Sequence, residues 1–359
     1  MFERAHIREI EGYVPGIQPS ARAIKLNTNE NPYPPSPRVM AALRSISPAM
    51  LQRYPDPLAK AFRTVAARIH GLSADEVIAT NAGDELLRLA LNTFVDPGRS
   101  VGIVTPSYGL YSVLAALHQA PVSEVALTEA WQLPEGTAER WNEDGAQIAI
   151  LTNPHAPTGT LAPLNTIERF AAAFQGVLVV DEAYVDFVDP TLKYDAIALV
   201  RRYPNVLLLR TMSKAYSLAG LRLGYGLGDP ALIEPMLAKT KDSYNVDAIA
   251  QLVGAAALDD GDHARSTWEK IRRERARLAH ELADSGLVSL PTQTNFLLVS
   301  LTQPQANRSA AIVYRELIEQ DIYVRWFNTP RLADKLRVTV GTPDENDAFL
   351  IALRRLMAK

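Results

Sequence analysis

The chain has 359 residues, enough for two domains, with 47% apolar residues and a formal net charge of −3, which excludes a protein that holds nucleic acid or an anionic membrane through its overall field. It contains no cysteine, so disulfides, thiolate catalysis and cysteine-type zinc sites are excluded together. No apolar run approaches the roughly 20 residues of a spanning helix, and the charged opening MFERAHIREIEGYVPG does not read as a signal peptide, so a cytoplasmic α/β protein is expected.

Residues 1–45 contain VPGIQPS and NTNENPYPPSPR, too dense in proline for long helices, and predict an arm with short turns. From about residue 57 the pattern alternates: a helix over PLAKAFRTVAARIHG, a strand at EVIATN, a helix over DELLRLALNTFV. Strands follow at SVGIVTP, QIAILTNP, GVLVVDEAY, NVLLLRT and LRLGYGLG. Those from QIAILT onward are short continuous apolar runs, as expected of strands buried on both faces. Residues 46–250 therefore predict a three-layer domain with a mainly parallel sheet. Long helices begin near 246 and 263, and the basic face of the second reads as solvated, with partners such as Glu269 and Arg273 at i,i+4. NFLLVS, a helix from about 306, IYVRW, LRVTVG and a helix from about 343 predict a small α+β domain over 251–359, which the arm joins.

Ligands gather at the C-terminal ends of parallel strands. EVIATN is followed by Ala82, Gly83 and Asp84, where a helix start can offer N–H groups to an anion or Asp84 can simply cap the helix. SVGIVTP leads to Tyr108, a flat lid on a ring or a core residue. GVLVV leads to Asp181, a carboxylate that is costly off a buried strand unless a cation meets it, and to Tyr184. NVLLLR leads to Lys214, whose buried charge a Schiff base would remove. Pyridoxal phosphate supplies the aldehyde for that bond, and its protonated ring nitrogen needs an acid, which Asp181 fits. Tyr184 can bond the ring's phenolic oxygen. The phosphate would take Thr211, Ser213, Arg222 and the N–H groups around Gly83, with Gly220 and Gly224 allowing close backbone approach. Beside these, His155 reads as a structural histidine. The glycines of RLGYGLGDP lie within a strand and predict no dinucleotide site. No metal site is expected.

With DEAY and SKAYSLAGLR on the page, and LNTNENPYPPSP, LQRYPDP, TPSYGLY, NPHAPTG, KDSYN, YVRWFN and LRVTVGT around them, the chain resembles fold-type-I, pyridoxal-phosphate-dependent aminotransferases from end to end. Within them it is most similar to the histidinol-phosphate branch. The resemblance implies an aspartate-aminotransferase-like fold and a cytoplasmic homodimer. It makes Lys214 the Schiff-base lysine, Asp181 the ring-nitrogen partner, Tyr184 the partner of the ring's O3′ and Tyr108 the stacking residue. Ala82, Gly83, Asp84, Thr211, Ser213 and Arg222 line the cofactor, mostly at its phosphate. Tyr54 reaches the partner subunit's cofactor phosphate, and Tyr13, Arg325 and Arg337 meet substrate. The implied reaction is transamination of L-histidinol phosphate with 2-oxoglutarate, giving imidazole acetol phosphate and glutamate in histidine biosynthesis. An aromatic-amino-acid aminotransferase or a threonine-phosphate decarboxylase would share the scaffold, and a non-catalytic cofactor-binding regulator is the reading from another class. Two departures stand out. Ala156 replaces the asparagine that usually bonds O3′, leaving Tyr184 alone or with water or Asn153. Ala82 replaces the usual leading glycine.

Overall fold

In the computed structural model, which describes residues 2–301 and 308–358, the apolar runs form strands. The first are β1 (Ile24–Lys25), β2 (Val77–Thr80), β3 (Ser100–Thr105), β4 (Val122–Ala126), β5 (Ala146–Thr152), β6 (Val177–Asp181), β7 (Val206–Thr211) and β8 (Gly224–Gly228). The later ones are β9 (Val288–Ser289), β10 (Phe296–Ser300), β11 (Ile322–Tyr323), β12 (Arg325–Trp326) and β13 (Lys335–Thr339).

Among the described residues the large sheet has the order β2-β8-β7-β6-β5-β3-β4, and β8 alone runs against its neighbours. Strand residues alternate between faces. Leu178 and Val180 of β6 enter one core with Phe62, Trp141 and Phe170, whereas Val179 enters another with Leu86, Tyr111 and Leu114. Helices thus cover both faces, which is why β5, β6 and β7 need no polar side. β4 is one of the two edge strands, and most of its residues are exposed or half-buried. Its sequence, VSEVA, lacks the continuous apolar run that marks the central strands.

The first core continues through Ala250, Val253 and Leu258. A second core gathers Ile271, Leu278, Phe296, Val338 and Phe349 around the antiparallel order β12-β13-β10-β9. The passage between cores therefore falls between the helices Ala248–Asp259 and Gly261–Asp284. The arm serves both, since Leu26 enters the second core and Val39 the first. IYVRW, expected as one strand, is divided: β11 pairs in parallel with β1, and β12 pairs with β13. The start expected near 306 for the next helix lies outside the described residues. Within them the helix spans Ala310–Ile318, and the Ser309 side chain caps it by accepting from the Ile312 N–H.

The C-terminal ends of β2, β3, β5, β6 and β7 and the first residue of β8 meet along one rim of the sheet. The chemistry-bearing side chains stand on that rim.

Candidate active site

At one end of the rim is a cup of backbone. The helix Ala82–Phe94 begins with Ala82 at φ 64°, a left-handed turn that is strained for a residue with a Cβ. β8 starts directly beneath it: a Cβ on Gly224 would come within 2.7 Å of the Ala82 carbonyl carbon and 2.8 Å of the Gly83 nitrogen. Gly224 therefore permits the close approach expected of it. Gly220 does not take part, because a Cβ there would meet nothing within 4 Å. Arg222, also left-handed at φ 56°, reaches the cup with Nη2 3.1 Å from Asp84 Oδ2 and Nη1 3.4 Å from Ser213 Oγ. The Asp84 carboxylate can only accept, so its contribution to an anion is its backbone N–H and its grip on Arg222. Thr211 Oγ1 accepts from the Ser213 N–H at 3.1 Å and shapes the turn that leads to Lys214.

Lys214 Nζ donates to the Thr28 carbonyl at 2.7 Å. Burial, reinforced by Arg337, pushes its amine down to about 8. Asp181 is 6% exposed and, among the described residues, no cation pairs with it. Tyr111 Oη donates to Asp181 Oδ2 at 2.6 Å, and the Ala183 N–H donates to Oδ1 at 3.0 Å. Burial nevertheless raises its carboxyl above the ordinary range. The adjacent Glu182 has its own counter-ion, with Arg210 Nε at 2.7 Å. Breaking such a buried pair costs about 3–5 kcal/mol, so Glu182 is not free to serve a ligand. Asp181, by contrast, has no ion-pair partner among the described residues, so its buried carboxylate could pair with a protonated pyridine nitrogen.

Tyr184 is buried edge-on to Phe296, with ring centroids 5.1 Å apart, and its hydroxyl accepts from Asn29 Nδ2 at 2.9 Å. Ala156 lies in the same apolar cluster as Tyr184 and offers it no polar contact. Asn153 corrects the sequence reading. Its Nδ2 donates to the Ala162 carbonyl at 3.1 Å and to Tyr194 Oη at 2.9 Å, and its Oδ1 accepts from the Ala162 N–H at 2.8 Å. Its amide hydrogens are thus both spent on the loop behind the rim, with none left to donate to a cofactor oxygen. His155 is buried, with Nδ1 2.8 Å from Thr158 Oγ1 and Nε2 without a hydrogen-bond partner among the described residues, and burial lowers its pKa to about 4, so the ring is neutral near pH 7. Tyr108 stands edge-on to Tyr13 at 5.2 Å and to Tyr111 at 5.5 Å.

The second domain brings two cations to this wall. Arg325 and Arg337 are paired positions on β12 and β13, and Phe327 lies 5.3 and 5.6 Å from their guanidinium carbons. Arg337 Nη2 donates to the Asn27 carbonyl at 2.9 Å, and its Nε is buried with no partner. Arg325 donates to the carbonyls of Val14 at 3.1 Å and Pro15 at 3.3 Å, next to Tyr13. Among the described residues neither arginine pairs with a carboxylate. Two guanidinium groups without carboxylate partners among the described residues are free to receive an anion. Tyr54 is not part of this assembly; it is 80% exposed and stacks on Tyr244 at 4.4 Å.

Sequence reasoning passed over Asn29, Tyr111 and the Thr28 carbonyl. Asn29 and Tyr111 do lie in quoted motifs, and Asn29 has φ 58°, a conformation that asparagine tolerates better than most residues.

The residues fit pyridoxal phosphate on their own geometry: an amine of lowered pKa, a buried acid lacking a cation, and a backbone cup beside an arginine. The family model "Aminotransferase class I and II" matches residues 21–353. Histidinol-phosphate aminotransferase 1 of Trichormus variabilis is 42% identical over 358 residues, 99% of each chain. Histidinol-phosphate aminotransferase 1 of Nostoc sp. is 40% identical, covering 99% of this chain and 98% of the relative. The crystal structure of histidinol-phosphate aminotransferase from Sinorhizobium meliloti in complex with pyridoxal-5′-phosphate superposes with a TM-score of 0.86 at 28% identity, over 93% of this chain and 90% of that one.

Proposed function

The chain belongs to the class I and II aminotransferase family, and from that membership we propose that it moves the amino group of L-histidinol phosphate to 2-oxoglutarate, as a cytoplasmic homodimer serving histidine biosynthesis. Its cofactor is pyridoxal phosphate, which supplies an aldehyde for amines and a ring that accepts the electron pair released at the substrate's Cα.

The observation that carries this reading is the placing of Lys214 between an acid without a cation and two cations without an acid. Lys214 Nζ, with its pKa near 8, is free of its proton often enough near neutrality to take one from the substrate. Asp181, aimed by Tyr111 and the Ala183 N–H, would pair with the cofactor's ring nitrogen and favour its protonated form. Arg222, Ser213 and the N–H groups at Ala82–Asp84 would hold the phosphate, while Tyr184 would hold the ring oxygen. Arg325 and Arg337 orient the substrate's anionic end, a phosphate ester in one half-reaction and a carboxylate in the other, since a guanidinium fork accepts both. Tyr13 and Tyr108 close the wall between them and limit water.

The test is single-turnover spectroscopy of the cofactor-loaded protein with histidinol phosphate, phenylalanine and threonine phosphate in parallel. Histidinol phosphate is expected to bleach the visible band with the highest ratio of rate to dissociation constant. An equal or higher ratio for phenylalanine would move the assignment to an aromatic aminotransferase, and release of carbon dioxide from threonine phosphate would move it to a decarboxylase.

A further inference from the structure

Beyond the residues facing the site, one contact joins the two walls across it. Arg331 follows Phe327 by four positions, in the segment that leads from β12 toward β13. Its backbone is left-handed at φ 68°, a conformation that needs outside support in a residue with a long side chain. The support comes from the other domain. Nη1 donates to the Leu127 carbonyl at 2.5 Å, Nη2 donates to the Thr128 carbonyl at 2.7 Å, and the guanidinium carbon lies 4.0 Å from the centre of the Trp131 ring.

The turn it grips is itself fixed. Trp131 N–H donates to the Thr128 carbonyl at 2.9 Å, and the Trp131 ring packs against the first core. Leu127 N–H donates to the Thr105 carbonyl at 2.9 Å, three residues before Tyr108. Arg331 therefore connects the segment carrying Phe327, which lies against both substrate arginines, to the wall carrying Tyr108.

We infer that Arg331 is a positioning residue for the amino donor: by clasping the Leu127–Trp131 turn it holds Phe327 against Arg325 and Arg337, so that their forks meet the donor's anionic end already aligned. The inference rests on the reading of those two arginines as the anion's partners. Among the described residues, the hydrogen bonds and ring contact of Arg331 go to Leu127, Thr128 and Trp131 and not to the cofactor cup or Lys214. Its loss should therefore weaken capture of the donor and spare the chemical step. A lysine cannot stand in, because one ammonium cannot reproduce a planar fork that bonds two carbonyls while covering an indole.

The experiment uses cofactor-loaded Arg331→Ala, Arg331→Lys and Trp131→Leu enzymes. In Arg331→Ala the KM for the donor should rise roughly 10- to 100-fold, the cost of a misplaced binding group, with kcat within roughly threefold of the parent. Arg331→Lys should behave like the alanine variant, Trp131→Leu should fall between it and the parent, and the Arg331→Ala/Trp131→Leu double variant should be no worse than Arg331→Ala alone. Hydrogen exchange in the parent and Arg331→Ala proteins gives a readout apart from turnover: amides of 127–132 and 327–333 should exchange faster in the variant. A KM within roughly twofold of the parent, a fall in kcat at constant KM, or unchanged exchange in both segments would each overturn the inference. Should the parent reject histidinol phosphate but accept another donor, the functional reading fails, while the KM comparison with that donor still decides the role of Arg331. Should no donor be accepted, the exchange comparison decides it.

Discussion

Lys214 is held where a charge is unwelcome, and that has a thermodynamic signature. Its amine titrates at about 8 in the folded protein against an ordinary 10.5. Between those values the unfolded chain binds the proton and the folded chain does not, so stability rises with pH across the window. Below about 8 the folded protein carries the buried ammonium and the advantage is gone. In the cofactor-free protein, Lys214→Ala should therefore be the more stable form at pH 7, and the difference should shrink as pH rises from 8 toward 10.5. Urea melts at several pH values measure this, and a gap independent of pH would mean that the amine is not buried. The meeting of Lys214 with Asp181 was legible in the sequence because two motifs about 30 residues apart, DEAY and SKAYSLAGLR, stand at neighbouring strand ends, whereas Lys214 alone reads as a surface loop lysine. Tyr111 and Asn29 were not, because their partners lie 70 and 155 residues away, and only folding brings each hydroxyl and amide to its acceptor. Asn153 misled for a related reason, since its motif neighbours face the rim while its own amide turns to Ala162 and Tyr194.

Gly220 and Gly224 looked alike in SLAGLRLGY, and only the packing of β8 under the Ala82–Phe94 helix separates them. Gly224→Ala would push a methyl group to 2.7 Å from the Ala82 backbone, which cannot swing aside as a flexible side chain could. Overpacking of this kind costs about 1–3 kcal/mol, and the displaced atoms are those proposed to receive the phosphate. A lower melting temperature and weaker cofactor affinity are expected together. Gly220→Ala opens onto free space and should leave both near the parent values. Differential scanning calorimetry with a cofactor titration compares them; equal behaviour of the two variants would refute the role given to β8. Other elements show why periodicity carries only so far. The central strands announced themselves through unbroken apolar runs, whereas β4 lies at an edge and has a short, mixed sequence. IYVRW read as one strand because pattern alone does not say that β11 and β12 have different partners.

Tyr54 stands apart from its own chain's site, 80% exposed on Tyr244, and this places the question of its role at the level of the assembly. A homodimer in which Tyr54 serves the partner subunit's phosphate cup makes a definite forecast. Tyr54→Phe subunits mixed with Lys214→Ala subunits should form hybrids with one doubly defective site and one intact site, and activity should exceed that of either parent homodimer. Hybrids that form without recovering activity would assign Tyr54 to its own chain. Asn29 has a further consequence for the molecule as a whole. It donates to Tyr184 on the sheet domain, while its Oδ1 accepts from Thr339 Oγ1 of β13 at 3.0 Å and its carbonyl accepts from Asn295 Nδ2 at 3.0 Å. Thr339 is two residues from Arg337 on the same strand, so one side chain answers to both occupants. Any preference that an anion at Arg337 exerts on this junction must be returned in equal measure by the cofactor at Tyr184, because linkage between two binding equilibria is reciprocal. The factor by which a small dicarboxylate at Arg337 changes the cofactor's dissociation constant should then equal the factor by which the cofactor changes the dicarboxylate's, and Asn29→Ala should bring both factors toward one.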